Sequence, residues 1–584
     1  MKKELYVFDT DVLVVGGGGA GARAGLEAAK QGAAVILCVK GEFGTSGATS
    51  YQIVELAGFN AADGSPSNTQ EDYLQDIVEA ALGTCDERLA EVLSREAIEE
   101  RIFLENIGVP FEKIDGKYLT NKGCFATKHR FHIIPGHGHP IVACLKREIE
   151  KQQRVQVLEN TMITSILTVD GITCGAFGLQ EDGSLVLIRA KAVVLAAGGA
   201  GRMFAFNMNP PDVTGDGYSL AYNAGATLTN MEFMQFGLGT IYPNYNLIGS
   251  WLFPLKPVLK NGRGEEIIGK YLPEGISLEM VIDDKTKHFP FSSRDNSKYI
   301  EIAVHKEILL GNNTEHGGIA LDFRGVSAEM VNTLPVEAQR MWQMAKSWLK
   351  SRGIDLDNQP AEIATFAHAV NGGPLIDENG ATDVEGLFAV GENAAGPHGA
   401  DRLGGNMLVN CQVFGRRAGR AAALFAKDRS VIPLSPRDQV VKAEMERISS
   451  IQNKGCGHAS LDLLLTELQK TMWRNMVVVR SKRSMQSCLA DLNELEDKLA
   501  QAAINSIKDV RTALEIKNML SIGAIMTRTA MAREESRGSH YREDFPKIND
   551  TYFKKNAFIK LVNGKQVMAF ETIDRFRGEG FHAL

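Results

Sequence analysis

Three features are scarce or missing in this chain. Neither charge is in marked excess: 64 Lys and Arg against 71 Asp and Glu leave a formal −7 over 584 residues. That balance gives no electrostatic case for nucleic acid or an anionic membrane surface. No apolar run reaches the length needed to span a bilayer, so no direct membrane span is expected. The eight cysteines (Cys38, Cys85, Cys124, Cys144, Cys174, Cys411, Cys456 and Cys488) are scattered, with no two spaced for a zinc, iron–sulfur or haem site. Such thiols suit small buried positions in a reducing compartment. The expectation is a cytoplasmic protein with no metal and no second redox centre of its own. The opening Met1-Lys2-Lys3-Glu4-Leu5-Tyr6 agrees, having neither a secretion-type apolar stretch nor a twin-arginine pair. There is no internal repeat and no low-complexity tract.

What is present is glycine, 58 residues of it, in an otherwise ordinary globular composition. Two glycine-rich segments stand far apart. The first is an apolar strand running into a glycine loop, Val12-Leu13-Val14-Val15-Gly16-Gly17-Gly18-Gly19-Ala20-Gly21. Gly16-x-Gly18-x-x-Gly21, after a strand and opening a helix, has the context of a dinucleotide fingerprint. Gly16 allows the tight turn, Gly18 lets the backbone approach a pyrophosphate, and Gly21 permits close helix–strand packing. The second segment is Gly386-Leu387-Phe388-Ala389-Val390-Gly391-Glu392, followed by His398-Gly399-Ala400-Asp401-Arg402-Leu403-Gly404-Gly405-Asn406. Together and in this order they point to an FAD enzyme whose nucleotide domain is interrupted. One customary element is absent: strand two ends in Val39-Lys40 where an acid commonly binds the adenosine ribose.

The chain is long enough for several domains. Residues 11–40 read as strand, turn, helix (22–31) and second strand (34–39). Residues 190–199 form a further buried strand, and Thr214-Gly215-Asp216-Gly217 opens a helix. From about 241 the composition shifts to aromatics, prolines and charges, and nucleotide patterning returns near 365, ending in a small-residue helix over 416–427. Pro433 and Pro436 mark a linker, and 437–534 shows helical periodicity. The expected class is α/β. A Rossmann-like FAD-binding domain (1–240 and 365–432) is interrupted by an α+β capping domain (241–364). A helical domain (433–540) and a polar tail (541–584) follow.

The ordered set Thr214–Gly217, Met231-Glu232-Phe233-Met234-Gln235-Phe236, Gly386–Glu392, His398–Asn406 and Glu535-Ser536-Arg537-Gly538-Ser539-His540-Tyr541-Arg542-Glu543-Asp544-Phe545-Pro546 resembles the flavoprotein subunits of succinate dehydrogenase and fumarate reductase. L-aspartate oxidase and the adenylylsulfate reductase flavoprotein belong to the same superfamily. The resemblance covers nearly the whole chain. It implies FAD contacts at Gly16, Gly18, Gly19, Ala20, Gly21, Lys40, Ser46, Gly47, Ala197, Gly198, Asp216, Glu392, Arg402, Asn406 and Leu408. Competing readings are a helix N-terminal acid for Glu392 and a helix cap for Asp216. Respiratory members carry a histidine that bonds covalently to the flavin in the loop held here by Ser46-Gly47-Ala48, so the resemblance implies non-covalent FAD.

The resemblance also implies hydride transfer between flavin N5 and one carbon of a CH–CH or C=C unit, beside a carboxylate held by arginine and histidine. Arg402 would clamp that carboxylate bidentately, His368 would share the clamp, and Arg294 fits the proposed proton shuttle. Against these stand a solvated helix face around Arg294-Asp295 and Lys298, and a satisfied buried histidine at 368. Elsewhere the pattern fails. Gly237-Leu238-Gly239 replaces a histidine after Gln235-Phe236, and Gly249-Ser250-Trp251-Leu252-Phe253-Pro254-Leu255 replaces the acidic and basic residues of the dicarboxylate enzymes. A second carboxylate would be costly to leave unpaired there. The substrate expected is therefore a carboxylate with an apolar or aryl tail rather than a simple dicarboxylate. Two alternatives stay open: an adenylylsulfate-reductase-like subunit with a small iron–sulfur or ferredoxin-like partner, and an electron-transfer flavoprotein without substrate chemistry. The histidines His129, His132, His137 and His139 are expected in a loop bordering the flavin rather than on a metal.

Overall fold

In the computed structural model, residues 4–452 and 457–579 are described; 1–3, 453–456 (Cys456 among them) and 580–584 lie outside. The first strand, β1 (Leu5–Val15), is buried over Val12–Val15 because it is central. It pairs in parallel with β2 (Val35–Cys38) on one side and with the strand Leu185–Leu195 on the other. Strands buried on both faces read as unbroken apolar runs, which is why alternation is absent here. Between β1 and β2 lies helix α1 (Gly19–Lys30), rich in alanine. The sheet order places Val155–Leu158 beyond β2, and Ile172–Gln180 then Thr161–Val169 beyond Leu185–Leu195.

The second glycine-rich segment joins this same sheet. Leu387–Ala389 pairs in parallel with the end of Leu185–Leu195, with Val193 opposite Leu387. The helix that follows, Asn406–Lys427, starts ten residues earlier than its small-residue stretch suggests. It packs on α1 through glycine: a Cβ at Gly419 would lie 2.2 Å from the Ala24 carbonyl oxygen. The two halves of the nucleotide fold are thus locked helix to helix as well as strand to strand.

The chain between them builds a five-stranded sheet in the order Asn246–Leu247, Met234–Tyr242, Ala361–Val370, Ile319–Asp322, Val258–Lys260. It carries a core of its own around Leu252, Phe253 and Trp342. Its two longest strands, Met234–Tyr242 and Ala361–Val370, run across residues 241 and 364, so these strands connect the nucleotide fold to the insertion.

Four helices follow, Gln439–Gln452, Leu461–Met476, Lys482–Leu499 and Ile507–Ala532. Ser460, Ser481 and Ser506 cap the last three, each hydroxyl accepting a backbone N–H of the first turn. After the last of these helices Arg533, Glu535, Arg537, His540 and Arg542 are wholly buried, and Asn556–Val562 pairs with Lys565–Glu571 and with Leu228–Thr229. The buried charges of that stretch are paired internally, such as Arg537 Nε to Glu535 Oε1 at 2.7 Å. Among the described residues no helix is long and apolar enough to cross a membrane.

Candidate active site

One cavity runs from the glycine loop of β1–α1 to the insertion, lined at one end by Lys40 and Asp216 and at the other by His368, Arg402, Phe289 and Trp251. The loop is shaped by backbone. Gly16 has φ +110°, and a Cβ there would lie 2.3 Å from the Ala196 carbonyl oxygen. A Cβ at Gly21 would lie 1.8 Å from the Gly16 carbonyl oxygen, so the first turn of α1 takes only glycine there. Gly18 precedes α1 with no side-chain cap, and a Cβ there would meet only Thr49 Oγ1 at 4.0 Å. The Gly19 N–H reaches Thr49 Oγ1 at 3.3 Å, and an N-terminus otherwise without a side-chain partner fits a phosphate. The Gly47 Cβ position comes within 3.7 Å of Gly18 Cα, so that loop closes over the glycine turn.

At the far end Lys40 stands where an acid was missing, and the fold supplies two acids to it. Its Nζ lies 2.8 Å from Asp216 Oδ2 and 2.8 Å from Glu515 Oε1, and donates to Thr214 Oγ1 at 2.7 Å. Burial alone would lower the ammonium's pKa, but Asp216 and Glu515 raise it, so it stays charged. Asp216 begins the helix Asp216–Asn223 and accepts from Asn518 Nδ2 at 2.9 Å. Glu515 and Asn518 come from the helix Ile507–Ala532, so the C-terminal helices complete this end of the cavity.

At the near end, Arg402 is 5% exposed and buried in the fold. Its NH1 donates to the Leu403 carbonyl at 2.9 Å, its NH2 lies 3.3 Å from His368 Nε2, and its Nε has no partner. Burial, then the Arg402 charge, pushes His368 down to about 3, so its imidazole is neutral and can accept from the guanidinium. Burial pushes Glu392 up to about 7, with Arg402 pulling the other way; its Oε1 accepts from the Val370 N–H at 3.0 Å. Arg402 and His368 together offer an unspent cation with an unused donor, which is what a carboxylate needs.

Beside this pair the lining turns aromatic, and its unpartnered polar atoms there are the neutral Trp251 Nε1 and His137 Nδ1. A Cβ at Gly237 would lie 2.3 Å from Phe289 Cζ, so the Phe289 ring fills the space a side chain at 237 would take. That ring meets His368 edge-on, centroids 5.6 Å apart. Trp251, Ile53, Leu247 and Phe131 continue the apolar lining. Cys124 lies in it too, its Sγ accepting from the Phe289 N–H at 3.1 Å.

Most residues singled out from the sequence meet here: Gly16, Gly18, Gly19, Ala20, Lys40, Ser46, Gly47, Ala197, Gly198, Asp216, His368, Glu392, Arg402 and Leu408 all line the cavity. Three do not. Gly21 packs beneath the loop. Asn406 is turned to the interior, accepting from Asn60 at 2.6 Å and Tyr73 at 2.7 Å. Arg294 is claimed by Asp401: Nε to Oδ2 is 3.0 Å, and NH2 donates to the Ala80 carbonyl at 2.7 Å. A buried carboxylate without a cation is costly, so Asp401 holds the guanidinium behind the cavity. The histidines disperse as well. His129 and His132 lie on the strand His129–Pro135, His139 begins a helix, and only His137 lines the cavity. Phe289, Cys124 and Glu515 were not foreseen as site residues, and no local pattern marks them.

A family model described as FAD binding domain matches residues 11–408, and one described as Fumarate reductase flavoprotein C-term matches 465–575. The chain is 33% identical to one of the subunits of the fumarate reductase (CoM/CoB) of Methanothermobacter marburgensis, covering 94% of this chain and 96% of that protein. It is 33% identical to an uncharacterized FAD-dependent oxidoreductase of Methanocaldococcus jannaschii, covering 97% and 98%. Its fold is similar to Mycobacterium smegmatis Sdh1 in complex with UQ1, with TM-score 0.82, 28% identity, and 97% and 95% of the two chains covered.

Proposed function

This chain belongs to the fumarate reductase and succinate dehydrogenase flavoprotein family, and from that premise we propose that it oxidises or reduces the carbon–carbon bond beside a carboxylate whose other end is apolar or aryl. It is an FAD-dependent oxidoreductase. When bound, the flavin supplies two-electron hydride chemistry. We read the binding as non-covalent, since Gly47 has no side chain to form a bond.

The rest is done by the protein. The glycine turn and the α1 N-terminus hold the pyrophosphate, and Lys40 with its two acids holds the adenosine end. Arg402, assisted by neutral His368, clamps the substrate carboxylate and withdraws charge from the neighbouring carbon. Phe289 and Trp251 exclude water from the reacting bond and receive the apolar tail. Arg294 acts from behind, fixing Asp401 and so the loop that presents Arg402.

The observation that carries this reading is the make-up of the cavity: one buried, incompletely used guanidinium shares its lining with Phe289, Trp251 and Phe131. Anaerobic reduction of the purified flavoprotein, followed by a screen of unsaturated acids for reoxidation, tests it. Aryl enoates should reoxidise the enzyme faster than fumarate; fumarate turning over faster than any aryl enoate refutes it. We further read the chain as one part of a larger assembly, since several relatives are named as subunits, exchanging electrons with a separate ferredoxin-like or iron–sulfur protein. Co-purification with such a protein tests that part. Among the described residues the cysteines are unpaired thiols, which suits a reading as cytoplasmic.

A further inference from the structure

The aromatic part of the cavity carries two polar atoms that the protein leaves unused. Trp251 Nε1 and His137 Nδ1 are both buried without a hydrogen-bond partner, and both side chains belong to the lining that holds Arg402 and His368. An indole N–H can only donate, and a buried donor without an acceptor is destabilising, so folded chains seldom keep one. One segment, residues 53–56, brings these two distant side chains to the same place, and its Ile53, Val54 and Leu56 line the cavity too. On one side of it, the Leu247 N–H donates to the Ile53 carbonyl at 3.0 Å, and Trp251 packs on the cluster of Leu56 and Ile133. On the other, the Gly136 N–H, next to His137, donates to the Glu55 carbonyl at 3.1 Å, and Pro135 stands opposite Leu56. Both side chains are held by their backbones. A Cβ at Gly249 would lie 2.3 Å from Trp251 Cζ2, so only glycine there leaves room for the indole. His137 sits at φ +61°, a left-handed conformation uncommon for a residue with a side chain.

We propose that these two nitrogens form a subsite for a hydroxyl group, and that the substrate's tail is a hydroxylated aryl ring rather than a plain hydrocarbon. This rests on the carboxylate chemistry argued above and specifies the far end of the same molecule. The hydroxyl oxygen accepts from Trp251 Nε1. Burial lowers His137 to about 4, so its ring is neutral and Nδ1 carries either a lone pair or a proton. A hydroxyl both gives and takes, and so satisfies either form, whereas a carbonyl only accepts and suits one of them. Neither group is a cation, so a second carboxylate would lie there unpaired. A plain aryl ring would leave both nitrogens empty, and a site built to hydrogen-bond a hydroxyl discriminates strongly against the analogue without it.

Calorimetric titration of the FAD-loaded enzyme tests it, with cinnamate (an aryl enoate) and its ortho-, meta- and para-hydroxy derivatives as probes. At least one hydroxycinnamate should bind about tenfold or more tightly than cinnamate, because it pairs two buried groups that cinnamate leaves empty. Trp251→Phe keeps a ring but has no N–H, and His137→Gly suits φ +61° but has no imidazole. In each variant the preference for that hydroxycinnamate over cinnamate should shrink to within about threefold, with flavin content as the check on folding. Reading the ratio within one protein cancels any general loss of affinity. Three hydroxy isomers that bind no better than cinnamate, or a preference undiminished in both variants, overturn the assignment and leave the proposed function standing. If neither cinnamate nor any hydroxycinnamate binds, the proposed function falls and this inference with it.

Discussion

Arg402→Lys separates a carboxylate clamp from a merely positive cavity. Lysine keeps the charge but not the fork. In the structure NH1 is held by the Leu403 carbonyl and NH2 by His368, leaving Nε and the remaining N–H positions for substrate. A single ammonium cannot serve the carbonyl, the imidazole and a ligand in that plane. Losing a charge-assisted hydrogen bond in a buried site costs about 1.5–3 kcal/mol, so cinnamate affinity should fall roughly ten- to 150-fold. Isothermal titration of the FAD-loaded variant measures this directly, with flavin content as the check on folding. Glu392→Gln, which removes an acid within electrostatic reach of Arg402, should tighten the same ligand. If Arg402→Lys binds cinnamate as well as the parent while retaining flavin, the carboxylate does not sit on Arg402 and the substrate assignment is wrong.

Other outcomes follow from the same geometry. Carboxylate affinity should be flat below about pH 7 and weaken above it: Glu392 loses its proton near 7 and then competes for Arg402, whereas His368 stays neutral from about pH 3 upward. The expected drop is on the order of tenfold between about pH 6 and 8.5, and Glu392→Gln should abolish it; an unchanged slope in that variant removes Glu392 from the account. Gly21→Ala should give protein that retains no flavin, because its Cβ would lie 1.8 Å from the Gly16 carbonyl oxygen; Gly25→Ala, with its nearest contact at 3.9 Å, should leave flavin content and Tm unharmed. Gly237→His combined with Phe289→Ala should weaken cinnamate and gain fumarate binding by about tenfold, since it trades an aromatic wall for a second polar anchor; calorimetry showing the opposite order would rule out Phe289 as the selector.

The nucleotide fold was legible before any coordinates. Gly16 and Gly21 stand out because a turn at φ +110° and a place where any Cβ would lie 1.8 Å from a carbonyl oxygen are local demands that only glycine meets. The segment Gly386–Glu392 was readable as part of the nucleotide fold through its glycines, whereas its pairing as a strand with Val193–Leu195 came only from the structure. His368 and Arg402 could be paired only through the resemblance to a known family, and the fold brings them to 3.3 Å. The rest belonged to tertiary contacts. Phe289 filling the space over Gly237, Glu515 answering Lys40, Asp401 drawing Arg294 off the cavity, and the charged tail turned inward all join distant segments. None of these partners shares a periodicity that marks it along the chain. Burial decided them: an unpaired charge or an empty volume inside the fold is expensive, and only the packed chain reveals which neighbour is close enough to satisfy it.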